Sequence, residues 1–156
     1  MFSLDIPGGK NLQIEHVLLD FNGTIAVDGK LITGVGEKIN RFAGQLNFHV
    51  ITADTFGSVK RELEGVNCSV TVIPLDDQCQ AKLDLLNELG AQATIAVGNG
   101  LNDQLMIKHG ALGVAVLQEE GLATVTLLAS DLLVHSVLDF FAYLECPERL
   151  IACLRC

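Results

Sequence analysis

The stretch VLLDFNGT, residues 17–24, decides the fold of this chain. Three apolar residues lead directly into an acid, Asp20, and a glycine and a threonine follow shortly after it. A short apolar run of this kind is typical of a strand that is buried on both faces of a parallel sheet. Ligands of such sheets bind beyond the carboxyl ends of the strands, so polar residues that follow each run are candidates for chemistry.

Further apolar runs alternate with segments of helical periodicity, and this alternation predicts an α/β fold. We expect strands over residues 14–20, 48–52, 69–73, 94–97, 112–117 and 132–134. We expect helices from about 35 to 46, from 56 to 65, over 78–89, 102–109 and 122–129, and in two C-terminal pieces separated by Pro147. The turn Asp28-Gly29, which lies between two apolar arms, predicts a small β-hairpin over residues 24–32.

Composition indicates one domain over residues 1–156 without a membrane segment. Apolar residues make up 49% of the chain and charged residues 19%, a balance that excludes disorder. No uncharged apolar run approaches the roughly 18 residues of a membrane span. The net charge of −9 disfavours nucleic acid as a partner and favours divalent cations. Five cysteines without a signal-like N-terminus predict a cytoplasmic protein with free thiols.

Small and polar residues follow four of the predicted strands and would converge at one edge of the sheet. They are Asp20, Asn22, Gly23 and Thr24; Thr52, Ala53 and Asp54; Lys82; and Gly98, Asn99, Gly100, Asn102 and Asp103. Carboxylate and carbonyl oxygens suit Mg²⁺, whereas lysine and backbone N–H groups suit phosphate. This set of residues predicts metal-assisted phosphoryl transfer with Asp20 as the candidate nucleophile.

The same four segments resemble, in order, the motifs of the haloacid dehalogenase superfamily. Residues 18–24 look like its apolar strand ending in D-x-D-G-T and, more narrowly, like the D-K-T-G-T loop of P-type ATPases. Residues 52–55 resemble the T-G-D loop of those pumps, and residues 98–103 resemble their G-D-G-x-N-D motif. Lys82 stands where the lysine of the third motif is expected.

The resemblance implies a three-layer, Rossmann-like core and an aspartyl phosphate formed on Asp20. Its phosphoryl group would be held by Gly23, Thr24, Thr52, Ala53 and Lys82. Mg²⁺ would be held by Asp20, the backbone carbonyl of Asn22, Asn99 and Asp103, with Asp54, Gly98, Gly100 and Asn102 in support. The hairpin corresponds to the flap over the site. The intervals between the motifs leave no room for a cap domain, so the chain resembles a capless, soluble P-type ATPase-like hydrolase.

Two residues depart from the motifs of the superfamily. Asn22 occupies the position of the second acid, which protonates the leaving group and activates water in the phosphatases. Such acid–base help is worth roughly 10²–10⁴-fold, and an amide cannot supply it. Asn99 replaces an expected metal-ligating acid, which should weaken Mg²⁺ binding. We therefore expect slow turnover of a small phosphorylated molecule, ATP or a phosphorylated macromolecule.

Alternatives remain open at the level of the sequence. The chain could be a weak or inactive scaffold that binds phosphate or metal or assists assembly, and a receiver-type phosphoacceptor is a third hypothesis. Lys60 and Lys108 compete with Lys82, and Asp54 could instead cap a helix. The Glu119-Glu120 doublet is expected only to solvate a loop. An open site on a small, half-apolar domain also makes a homo-oligomer plausible.

Overall fold

The protein is described by a computed structural model that places residues 1–53 and 57–156. Ten strands are present in this part of the chain. They are β1 (Phe2–Asp5), β2 (Asn11–Ile14), β3 (His16–Asp20), β4 (Ala26–Val27), β5 (Lys30–Leu31), β6 (Asn47–Thr52), β7 (Cys68–Val72), β8 (Thr94–Gly98), β9 (Leu112–Val116) and β10 (Leu132–Val134). The helices are α1 (Val35–Phe42), α2 (Val59–Glu62), α3 (Gln78–Leu89), α4 (Gln104–His109), α5 (Thr124–Ala129), α6 (Val137–Glu145) and α7 (Pro147–Leu154).

Six strands form a parallel sheet in the order β10-β9-β8-β3-β6-β7. Strand β3 lies near the middle, hydrogen-bonded to β6 on one side and β8 on the other. Strands β8 and β9 are buried along their whole length, which explains their unbroken apolar sequences. All six strands point the same way, so the residues that follow them gather at one edge of the sheet.

Helices cover both faces of this sheet and produce a three-layer α/β sandwich. On one face, α1 and α6 pack on β3 through residues such as Ile39 and Phe141, which belong to the larger hydrophobic core. On the other face, α3 and α4 contribute Leu86 and Ile107 to a smaller core with Leu18 of β3. The alternate side chains of β3 therefore reach opposite cores, and the α/β fold predicted from the sequence is confirmed.

The small hairpin of β4 and β5 forms where Asp28-Gly29 predicted it, with positive φ at both turn residues (51° and 76°). The hairpin and α1 fill the interval between Thr24 and Thr52. The described part of the next interval, up to Lys82, holds α2, β7 and the start of α3. The core is therefore a capless one. None of the helices in the described part of the chain has both the length and the apolar character that a membrane crossing requires.

Several elements of the fold differ from those expected. The run over 14–20 is divided at Glu15, whose backbone bonds to Ala93 and Asn47, and only β3 belongs to the central sheet. The N-terminal antiparallel hairpin of β1 and β2 was not expected. Helix α1 ends at Phe42, although Leu46 is buried in the same core as the helix.

Candidate active site

A cavity of about 280 Å³ opens at the carboxyl edge of the central sheet. Eight of the residues that the sequence singled out line it, and they come from all four predicted segments. They are Asp20, the last residue of β3, and Asn22 beyond it; Thr52, the last residue of β6, and Ala53 beyond it; Lys82 on α3; and Asn99, Gly100 and Asn102 after β8. Asp54 lies outside the residues that the structure describes.

The carboxylates of Asp20 and Asp103 share one buried cation, the ammonium group of Lys82. Lys82 Nζ donates to Asp20 Oδ1 and to Asp103 Oδ1, with a distance of 2.6 Å in each case. Its third hydrogen bond goes to Asn102 Oδ1 at 3.3 Å. Lys82 is 1% exposed, whereas the competing Lys60 and Lys108 are exposed. Lys82 is thus the lysine that the fold brings to Asp20.

Burial and the charges within this triad shift the pKa values of Asp20 and Lys82. Burial raises the pKa of the Asp20 carboxyl, and the nearby carboxylate of Asp103 raises it further. The charge of Lys82 lowers it, as do the hydrogen bonds from Lys82 and Thr24, and the balance raises the pKa of Asp20 to about 6. Burial alone would lower the pKa of Lys82, but the charges of Asp20 and Asp103 outweigh it and raise that pKa above its ordinary value. Lys82 therefore stays charged at neutral pH.

Asp103 is held differently from the metal ligand that the resemblance implied. Its side chain is fully buried and does not line the cavity. Besides accepting from Lys82, it accepts through Oδ2 from the backbone N–H groups of Asn99 and Gly100, at 3.0 and 2.8 Å. The backbone of Gly98 packs against it so closely that a Cβ there would lie 2.5 Å from Asp103 Cγ. In this geometry Asp103 fixes the turn after β8 and orients Lys82.

The loop after Asp20 contacts the turn after β8 through Thr24 and Gly23. Thr24 Oγ1 lies within hydrogen-bonding distance of Asp20 Oδ2, at 3.2 Å, and of Asn99 Oδ1, at 3.1 Å. Gly23 has φ of +80°, and a Cβ at this position would collide with the amide of Asn99. The close approach of the two loops thus requires glycine here for two reasons.

Side-chain oxygens of Asp20, Asn22 and Asn99 belong to the cavity wall, and their chemistry fits Mg²⁺. Asn22 Oδ1 is buried and has no hydrogen-bond partner, so it is available to a cation or a donor. Asn99 Oδ1 faces the same loop. Mg²⁺ binds through one or two carboxylates together with substrate phosphate and water. Within residues 1–53 and 57–156, no cluster of three or more His, Cys, Asp and Glu side chains is placed to hold a metal. The described part of the site therefore offers few charged ligands to a metal ion.

Solved structures with the same architecture were found by structural comparison. A putative haloacid dehalogenase family hydrolase from Streptomyces avermitilis superposes with a TM-score of 0.64 at 20% identity, covering 83% of this chain and 81% of that one. A 3-deoxy-D-manno-octulosonate 8-phosphate phosphatase from Moraxella catarrhalis, solved with magnesium, phosphate and KDO, gives 0.65 at 17% identity, covering 91% and 87%. The cobalt-bound phosphatase of this type from Haemophilus influenzae gives 0.67 at 13% identity, covering 91% and 90%.

The protein has the haloacid dehalogenase fold. No family model matches the sequence. An uncharacterized protein of Methanocaldococcus jannaschii, MJ0073, is 39% identical over 79 residues, which cover 48% of this chain and 85% of that protein. The chain belongs to the family of this archaeal protein. A second uncharacterized protein of the same organism, MJ0072, is 44% identical over 39 residues, which cover 25% of this chain and 89% of that protein.

Gln118, at the carboxyl edge of the central sheet, was not foreseen from the sequence. Gln118 follows β9, and its Nε2 donates to the carbonyl oxygens of Gly23 and Thr24, at 3.1 and 2.6 Å. Its Oε1 accepts from Val137 N, which ties the loop after Asp20 to the start of α6. The rule that polar residues after strands gather at this edge, applied to β9, would have found Gln118.

The expectation that the Glu119-Glu120 doublet only solvates a loop is wrong for Glu120. Glu120 lines the cavity, and its Oε1 accepts from the backbone N–H of Asp28 at 2.8 Å. This bond joins the tip of the small hairpin to the segment after β9. The hairpin is thus held against the cavity rim, where the resemblance placed the flap.

Proposed function

We propose that the protein is a Mg²⁺-dependent phosphohydrolase that works through an aspartyl phosphate on Asp20. One observation carries this proposal: a strand-end carboxylate faces an open cavity while a buried lysine, itself anchored by a second carboxylate, contacts it at 2.6 Å. Such an arrangement holds a nucleophile beside a positive charge, which is what attack on an anionic phosphoryl group requires. The haloacid dehalogenase fold of the phosphatases described above supports the same reaction class.

In this mechanism the chain's own residues position the nucleophile and the phosphoryl oxygens. Thr24 and Lys82 orient the Asp20 carboxylate through the bonds to Oδ2 and Oδ1. Lys82 also offsets the negative charge that gathers between Asp20 and the incoming phosphate. Thr52 and the backbone of Ala53, both at the cavity wall, would hold the phosphoryl oxygens.

Mg²⁺ would be held by Asp20, Asn22 and Asn99, and when bound it supplies charge neutralisation between the carboxylate and the phosphate. Asp103 is proposed as a positioning residue for Lys82 and for the turn after β8, since both of its carboxylate oxygens accept hydrogen bonds from these partners. Asn22 cannot act as an acid or base, so hydrolysis of the phosphoenzyme would be slow.

The proposed substrate is a small phosphorylated molecule, ATP or a phosphorylated macromolecule. We also propose that the chain forms a single domain and that the protein is cytoplasmic. Its cytoplasmic location is supported by five cysteines that are all free thiols.

The test is phosphate release from a panel of phosphoryl donors with Mg²⁺, compared between wild type and D20N. D76N, which changes an exposed aspartate, is the matched control. We expect release by wild type and D76N and a loss of at least about 10³-fold in D20N, since removal of a nucleophile can cost up to about 10⁶-fold. Release that survives in D20N contradicts the assignment of Asp20.

A second candidate is a binding module without turnover, and the amides Asn22 and Asn99 favour it. Both stand where acids would serve catalysis and metal binding, and Asn99 uses both ends of its amide in structural bonds, to Thr24 and to Gly121 O. Absence of release from every donor, together with absence of a Mg²⁺-dependent shift in Tm, would select this candidate over the enzyme.

A further inference from the structure

We infer that the site takes phosphoryl donors whose leaving group departs as a stable anion, namely acyl phosphates and phosphoanhydrides, in preference to phosphate esters of alcohols. This inference rests on the proposed function and narrows its substrate class. It follows from the groups that line the cavity, because the described residues there include no side chain placed to give a proton to a leaving group.

Asn22 is the first of these groups. Its side chain lines the cavity two residues beyond Asp20, with Oδ1 buried and unpartnered. A carboxamide donates hydrogen bonds through its N–H groups but does not release a proton at neutral pH. Asn22 can therefore contact a leaving oxygen without protonating it.

Lys82 carries protons but lies beside the attacking oxygen rather than beside the leaving group. Its three N–H groups are matched by three acceptors, Asp20 Oδ1, Asp103 Oδ1 and Asn102 Oδ1. Attack is in line, so the leaving group lies across the phosphorus from the attacking oxygen of Asp20. Lys82 contacts Asp20 itself and is thus remote from the leaving oxygen.

Glu120 is the remaining carboxylate of the cavity wall. Its side chain is exposed, and Oε1 accepts a hydrogen bond from Asp28 N. This bond engages the carboxylate as an acceptor for the hairpin rather than as a donor to a substrate. Its bond to the hairpin explains its position without a catalytic role.

Without an acid at the site, the reaction proceeds readily only when the leaving group is stable as an anion. An Asp20 oxygen forms a bond to phosphorus, the bond from phosphorus to the leaving oxygen breaks, and that oxygen keeps the electron pair. A carboxylate, whose acid has a pKa of about 4, or a phosphate, with a second pKa of about 6, accepts this charge unaided. An alkoxide is about as basic as hydroxide, whose parent acid, water, has a pKa of about 15.7. Water then attacks phosphorus, releases the Asp20 carboxylate and gives its proton to the phosphate formed or to solvent.

The test compares kcat/KM for acetyl phosphate, ATP, a series of phenyl phosphates of graded acidity and an alkyl phosphate, all with Mg²⁺. The ratio kcat/KM reports the step in which the leaving group departs and is insensitive to later hydrolysis of a phosphoenzyme formed irreversibly. Rates of D20N are subtracted to remove spontaneous hydrolysis of acetyl phosphate. The comparison of acetyl phosphate with ATP shows whether the site prefers an acyl phosphate or a phosphoanhydride.

We expect kcat/KM for acetyl phosphate or ATP to exceed that for the alkyl phosphate by more than about 10²-fold, the lower bound of acid catalysis, with a steep dependence on phenol acidity. N22D introduces an acid and should reduce that ratio at least about tenfold, whereas N22A and E120Q should leave the dependence steep. An alkyl phosphate used within tenfold of acetyl phosphate, or a shallow dependence in wild type that becomes steep only in E120Q, overturns the inference but leaves the proposed function intact. Equal rates in D20N and wild type for every donor overturn the proposed function instead.

Discussion

The ammonium of Lys82 lies 2.6 Å from the carboxylate of Asp20, although 62 positions separate the two residues in the sequence. Asp20 ends β3 and Lys82 lies in α3, which packs on the smaller core below the cavity. The same ammonium contacts Asp103 at 2.6 Å, so one buried cation serves two carboxylates. Stability and the proposed chemistry therefore depend on the same three side chains.

Removal of the Lys82 charge should destabilise the fold. In K82M, Asp20 and Asp103 lose their buried counter-charge, and breaking a buried ion pair costs about 3–5 kcal/mol. Urea unfolding measures this loss, with K60M, a change at an exposed lysine, as the control that should stay within about 0.5 kcal/mol of wild type. The loss should be smaller at pH 5 than at pH 8, since protonation relieves the uncompensated carboxylates. Equal stability of K82M and K60M would refute the role of the triad.

The Asp20 carboxyl should titrate well above an ordinary aspartate when no divalent cation is present. Its pKa is about 6, because burial and the charge of Asp103 disfavour the ionised form. NMR of the side-chain carboxyl carbon should show a midpoint near that pH, and D103N should lower it by removing one anion. Added Mg²⁺ should lower the pKa as well, since a bound cation favours the carboxylate. A midpoint near 4 in wild type without cation would contradict this environment.

Asn99 limits the charge of the proposed metal site. N99D restores a carboxylate there, so the Mg²⁺-dependent increase in Tm should be larger than in wild type. Without Mg²⁺ the variant should be less stable by about 1–3 kcal/mol, because the bond from Asn99 Nδ2 to Gly121 O is lost. N99A loses the same bond without gaining charge and serves as the control. A Mg²⁺ response in N99D no greater than in N99A would place the cation elsewhere.

Gln118 should hold the loop that follows Asp20. Q118A removes the donor to the carbonyls of Gly23 and Thr24 and the acceptor for Val137 N, and leaving these groups unpaired should cost about 1–3 kcal/mol. Hydrogen exchange at the amides of residues 24–26 should become faster. E119A, at an exposed neighbour, should exchange as wild type does. Unchanged protection in Q118A would show that the loop needs no such support.

The sequence predicted those parts of the fold that depend on local signals. The apolar pattern of residues 78–89 and the glycine that follows give α3 with its observed bounds. Asp28-Gly29 gives the hairpin, because its turn needs positive φ at both positions. The β1–β2 hairpin was missed although residues 2–5 and 11–14 alternate between buried and exposed side chains. Its signal is short and lies outside the α/β alternation.

The site was foreseen as a set of residues but not as a network of contacts. The rule for strand ends placed Asp20, Thr52 and Asn99 at one edge, and the structure brings them to one cavity. The rule could not tell that Asp103 turns away from that cavity towards Lys82 and two backbone amides. Nor could it pair Gln118 with the Gly23 carbonyl, since that pairing depends on the relative positions of β9 and β3.

The most direct test of the account is to identify the residue that carries the phosphoryl group. Wild type is incubated with Mg²⁺ and labelled acetyl phosphate or ATP, quenched in acid, digested and mapped by mass spectrometry, with D20N and D76N treated in parallel. The account predicts one phosphoryl group on the peptide that contains Asp20, removed by hydroxylamine as an acyl phosphate should be, present in D76N and absent in D20N. A phosphoryl group on any other residue, or phosphate release by D20N at the wild-type rate, would contradict it.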